Sequence, residues 1–169
     1  MFSDEEIGSL ISCEKKVTQR PRKPLVPDKN REFILSGKIK CVSTTDAKEF
    51  YVFLKQHALL PDQFSIGLML RIKDGEDINL VRFNCRQFHK NKNTNTEEFH
   101  DFHIHRASER ELLQGLSKFD AFRTSLYINF NTALTEFCKY CNIRDTNGVI
   151  LYNDNIATGQ VSIFEGGVS

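Results

Sequence analysis

The feature that most constrains the fold is a two-residue alternation of apolar and polar side chains that recurs between residues 31 and 106. The runs REFILSGKIKCVST, EFYVFLKQHA, FSIGLMLRIK and INLVRFNCR are rich in β-branched and aromatic residues and are separated by turn residues. Asp74-Gly75 is a hairpin signature between the third and fourth runs. Asp101 to Arg106 reads as a fifth strand. Connections this short favour an antiparallel meander with one face covered.

The cover has to come from helices at the two ends. Ser3 followed by Asp4, Glu5 and Glu6 is a capping box whose acids suit the positive end of a helix dipole. Ile7, Leu10 and Ile11 continue at helical spacing, and Lys15 and Lys16 would close this helix at its negative pole. Ser108 with Glu111 opens a second helical stretch, whose stripe is Leu112, Leu113, Leu116, Phe119 and Phe122. A third runs from Thr132 to Ile143. The expectation is a single α+β domain over residues 1–143: an N-terminal helix, a five-stranded mainly antiparallel sheet, and two C-terminal helices packed on the sheet. With 14 phenylalanines and no tryptophan, its core should be phenylalanine-rich.

Two segments fall outside that plan. Residues 15–31 carry seven basic residues against one acid, Asp28, and Pro21, Pro24 and Pro27 forbid regular structure. They read as a basic extended arm in which Lys15, Lys16, Arg20, Arg22 and Lys23 could meet phosphates; a solvated linker is the plainer alternative. Residues 144–169 read as a tail that adds an edge hairpin or binds a partner.

The five cysteines are odd in number and scattered. Cys138 and Cys141 form a lone C-x-x-C on a helix face, with no second pair at zinc-site spacing. The acidic N-terminus lacks a secretory apolar region, and no apolar run is long enough for a membrane span. A reduced, cytoplasmic chain with no membrane partner is expected.

Chemistry concentrates in FHDFHIH, residues 99–105. Strand alternation places Asp101, His103 and His105 on one face, with Phe102 and Ile104 on the other. On the preceding strand Arg82 and Asn84 share a face opposite Val81, Phe83 and Cys85. If the two strands are neighbours, Arg82, Asn84, His103 and His105 form one polar patch, and His89 and Asn91 on the intervening loop can fold over it. His100 falls in the opposite register.

The segment LVRFNCRQFHKNKN…FHDFHIH resembles a family of small, largely uncharacterised bacterial and phage proteins with R-x-N, H-x-N and H-x-H motifs, matched here by Arg82, Asn84, His89, Asn91, His103 and His105. Cys85 stands where a glycine is common in that family. SDEEIGSLISCEKK and LTEFCKYCNI resemble its first and last helices, so the resemblance covers roughly residues 3–143. It implies an α+β domain in a toxin, phage or mobile-element setting, in which inhibitors of type II CRISPR effectors are found.

Three readings of the patch stay open. In the first, His103 and His105 are the acid–base pair of a metal-independent endoribonuclease, supported by Arg82 and Asn84. His89, Asn91, Lys15, Lys16, Arg20, Arg22 and Lys23 would hold RNA, and no cofactor is needed. In the second, His103 and His105 bind a divalent metal with His89 or Asp101. In the third, the histidines are a hydrogen-bonded polar layer. The leading expectation is an RNA-acting protein, with guide RNA as substrate if it is an anti-CRISPR protein. The alternative is a non-enzymatic inhibitor that binds an effector nuclease–guide RNA complex and blocks assembly.

Overall fold

The structure, a computed structural model, describes residues 2–19, 25–92, 97–115 and 119–144. Arg20, Arg22, Lys23 and the tail from residue 145 lie outside the described residues.

The expected runs form β3 (Ile34–Ser43), β4 (Glu49–His57), β5 (Phe64–Leu70), β6 (Ile78–Lys90) and β7 (Glu98–Arg106). Each pairs antiparallel with the next. The sheet does not stop there, and this corrects the five-stranded α+β plan. β1 (Lys15–Gln19) and the two-residue β2 (Val26–Pro27) both pair with β3, β8 (Ala121–Arg123) pairs with β7, and β9 (Ile143–Arg144) pairs parallel with β1. The result is a mostly-β fold: a curled, mixed, half-barrel sheet in the order β8-β7-β6-β5-β4-β3-β1-β9, with β2 beside β3 and three short helices.

The reasons for the shortfall are physical. β2, β8 and β9 are two or three residues long, too short to display an alternation. The stripe continuing through Phe119 and Phe122 does not propagate one helix: α2 spans only Glu109–Leu113, and Phe122 sits exposed in β8. Ser108 caps α2 as the sequence suggests, but five residues give too few hydrogen bonds to offset a costly nucleus without tertiary support.

α1 (Asp4–Ser12) begins as expected, with the Ser3 hydroxyl accepting from the Glu6 amide and the Glu6 carboxylate accepting from the Ser3 amide. It ends three residues earlier than Lys15. Lys15 instead begins β1 fully buried, and its ammonium donates to the carbonyls of Ile11 (2.8 Å), Cys13 (2.8 Å) and Cys141 (3.0 Å). It does meet the carbonyl end of α1, but from inside the protein, and it lies 4.9 Å from the Phe50 ring centroid. Burial pushes its pKa down, so the three carbonyls are what hold the charged form in place. Lys15 therefore cannot contact RNA as part of an arm, whereas Lys16 remains exposed.

One sheet face is apolar. Leu35, Ile39, Val52, Leu54, Ile66, Leu68, Val81, Phe83 and Ile104 join Ile7, Leu10 and Ile11 of α1 in a single core. α3 (Phe130–Tyr140) adds Leu134 and Phe137, the latter edge-on to Phe83 at 5.2 Å between centroids. The other face carries the polar and charged members of the alternation, and the histidines belong to it.

Replacing Lys15 with methionine keeps the bulk and removes the donor, leaving buried carbonyls unsatisfied. Lys15→Met should lower unfolding free energy by about 2–4 kcal/mol in urea titration. A change within about 0.5 kcal/mol would show that these contacts are replaceable by water.

Candidate functional site: a three-histidine cluster

The register of β6 and β7 assembles the site. Arg82 lies directly opposite His105, and Asn84 directly opposite His103. The pairing slips between Asn84 and Gln87, so the last turn of β6 advances and His89 is carried back towards the patch. The ring centroids of His89, His103 and His105 then lie 4.8–5.1 Å apart. One ring nitrogen of each lies within 4.8 Å of the other two. His103 and His105 are buried and His89 is half-buried. His100 is exposed and takes no part.

The hydrogen bonds fix each tautomer. The Nδ1 of His103 is 2.8 Å from the Asp101 carbonyl, and the Nδ1 of His105 is 2.6 Å from the Phe119 carbonyl. A carbonyl only accepts, so both Nδ1 atoms carry the proton and both Nε2 atoms keep a lone pair. Asn91 settles the third ring. Its amide donates to the Ala121 carbonyl (2.9 Å) and its oxygen accepts from the Ala121 amide (2.8 Å), which leaves no doubt about its orientation. The Nε2 of His89, 2.8 Å from that oxygen, must donate to it.

In each of the three rings one nitrogen is thus anchored to backbone or amide. That is the outer-shell arrangement of metal-ligating histidines. A tetrahedral ion with bonds of about 2.0–2.1 Å needs nitrogens about 3.4 Å apart, so the rings would draw in by roughly an ångström. Asn84 stands against His103, its Nδ2 3.3 Å from Nε2 and its Oδ1 accepting from the Ser65 hydroxyl at 2.7 Å.

Electrostatics favour the neutral rings. Burial, then the nearby Arg82 guanidinium, pushes His105 down to about 3, and burial lowers His103 as well. A general acid near neutral pH requires a protonated imidazole, which this desolvated cluster opposes. Arg82 is itself half-buried, and its buried Nε has no hydrogen-bond partner among the described residues.

Of the residues expected at the site, Arg82, Asn84, His89, Asn91, His103 and His105 converge. Asp101 contributes its carbonyl to His103. Lys15 is elsewhere, tied to α1. Two participants carry no sequence signal. Ser65 orients Asn84 from β5. The buried Tyr127 hydroxyl lies 2.9 Å from the carbonyls of both Asn84 and His103, clamping the strands where the register is about to slip. A lone tyrosine between two helical stretches is indistinguishable from core until the bulge is known.

A family model of unknown function, DUF6978, matches residues 2–143. The chain belongs to the DUF6978 family. The match spans every element described except the last residue of β9, and the site lies wholly within it. Comparison with curated proteins and with solved structures returned no match.

Asn91 links the β6–β7 connection to β8 and holds His89. Asn91→Ala should lower the apo-protein unfolding free energy by about 2–3 kcal/mol, read by denaturant melts. It should also free the His89 ring, visible as a narrowed imidazole resonance in NMR.

Proposed function

We propose that this DUF6978 protein is a metal-dependent phosphodiesterase acting on RNA, its ion held by His89, His103 and His105. The observation that carries this reading is the gathering of three histidines, one ring nitrogen of each within 4.8 Å of the other two, with each ring anchored through a hydrogen bond to backbone or amide. Three protein ligands leave a fourth position of a tetrahedral ion open, which is the pattern of catalytic rather than structural sites. When bound, such an ion supplies Lewis-acid activation of water near neutral pH.

The surrounding residues supply the rest. Arg82, beside His105 and without a described partner at Nε, is placed to meet the negative charge that gathers on the phosphoryl oxygens. Asn84, braced by Ser65, can turn its amide from His103 to a substrate oxygen once that lone pair is engaged. In the reaction water oxygen bonds to phosphorus, the bond from phosphorus to the leaving ribose oxygen breaks, and the water proton ends on that oxygen. The resemblance of the R-x-N, H-x-N and H-x-H motifs to small phage and mobile-element proteins makes the guide RNA of a type II CRISPR effector one substrate to test.

Metal titration of the EDTA-stripped protein should show one equivalent of Zn²⁺ or Mn²⁺ bound by wild type and none by His103→Ala/His105→Ala. Cleavage of RNA, alone and in an effector complex, should vanish with EDTA and return with the ion. Cleavage that survives EDTA but not the double substitution would move the chemistry to an acid–base pair. Effector inhibition with intact RNA would make the protein a non-enzymatic inhibitor.

A further inference from the structure

The face that carries the histidines continues across the sheet as a row of cations around an aromatic ring. Cross-strand pairing aligns Lys38, Phe53, Gly67, Arg82 and His105 in one row from β3 to β7. Four strand spacings make that row about 19 Å long. The adjacent row is Ser36, Lys55, Ser65, Asn84 and His103.

Within the first row the Phe53 ring reaches over Gly67 of β5. A Cβ placed on Gly67 would sit 2.2 Å from the Phe53 ring, so glycine is what allows the ring to rest on β5. The half-buried ring has the Lys55 ammonium 5.4 Å from its centroid. Beyond it, Lys38 stands 3.6 Å over the Tyr51 ring, beside a groove of about 480 Å³ that Lys38, Lys40, Tyr51 and Arg71 help to line. One acid, Glu49, lines that groove, and Asp77 faces Tyr51 and Arg71. Near Phe53 positive charge accumulates: burial, then Arg31 and Arg82, lowers the Lys55 pKa, against the single opposing carboxylate of Asp28.

Cations in excess of carboxylates around a half-buried aromatic ring on a sheet face match the chemistry of a single nucleic-acid strand, with phosphates on the cations and a base on the ring. A duplex hides its base faces and has no use for such a ring. We propose that this face binds single-stranded RNA, with one base stacked on Phe53 and neighbouring phosphates held by Lys38, Lys55 and Arg82, and leads it to the histidine cluster. The inference rests on the phosphodiesterase reading for the destination of the strand, but the binding itself is measurable without cleavage.

The test is fluorescence anisotropy in EDTA with labelled oligouridylate, its duplex with oligoadenylate, and the matching deoxyribose strand. Wild type should bind the ribose strand at least about tenfold more tightly than the duplex, since stacking on one exposed base is available only to the former. Phe53→Ala and the milder Phe53→Leu should weaken binding, the former by about fivefold or more. The Lys38→Ser/Lys55→Gln pair, on exposed and half-buried positions, should reduce the salt slope of log affinity by about 1.4. Equal affinity for duplex and single strand, or wild-type binding by folded Phe53 and lysine variants, overturns the proposal. Tighter binding of the deoxyribose strand overturns the choice of RNA. Strand bound by this face but never cut with metal present removes the phosphodiesterase reading alone. RNA cut equally by wild type and these variants removes the track alone.

Discussion

The register between β6 and β7 is the constraint on which the rest of the site depends. Side chains alternate faces along a strand, so a one-residue slip would send His103 and His105 into the apolar core and Phe102 and Ile104 to the opposite face. Three contacts resist that slip. Phe83 and Ile104 are paired and fully buried, Tyr127 spans the carbonyls of Asn84 and His103, and Asn91 binds both backbone groups of Ala121. The bulge after Asn84 then adds what a regular ladder could not, by bringing His89 back over the patch. The cluster is a product of correct pairing followed by one deliberate irregularity.

Much of this was legible in the sequence where periodicity is strong, and lost where it is weak. The long runs from Ile34 to Arg106 alternate clearly, and alternation alone places His103 and His105 with Arg82 and Asn84. The capping residues Ser3 and Ser108 mark helix starts correctly. The strands of two or three residues carry no periodic signal, and β1 lies in the basic stretch that reads as an extended arm, so the sheet is nearly twice as wide as the long runs predict. Lys15 shows a different failure. In a basic stretch it reads as a solvent cation, because nothing local reveals that carbonyls of Ile11, Cys13 and Cys141 converge on it. Which ring nitrogens of the histidines are anchored is likewise a matter of remote partners, Phe119 and Ala121 among them.

The two sheet faces divide the labour of the molecule. The apolar face, closed by α1 and α3, supplies rigidity, and Lys15 ties the end of α1 to the end of α3 through Cys141. The other face concentrates cations and the three imidazoles, and burial there keeps His103 and His105 neutral. Neutral imidazoles suit an ion better than a proton relay. Arg82 joins the two parts of that face, opposite Gly67 on one side and His105 on the other.

The most direct test of the central claim is the coordination shell itself. X-ray absorption at the zinc edge, on protein loaded with one equivalent of Zn²⁺, should show three imidazole nitrogens at about 2.0–2.1 Å and one oxygen in the first shell. His89→Ala should lower the imidazole count by one. An oxygen-only shell, or one unchanged by that substitution, would contradict a metal centre built from His89, His103 and His105.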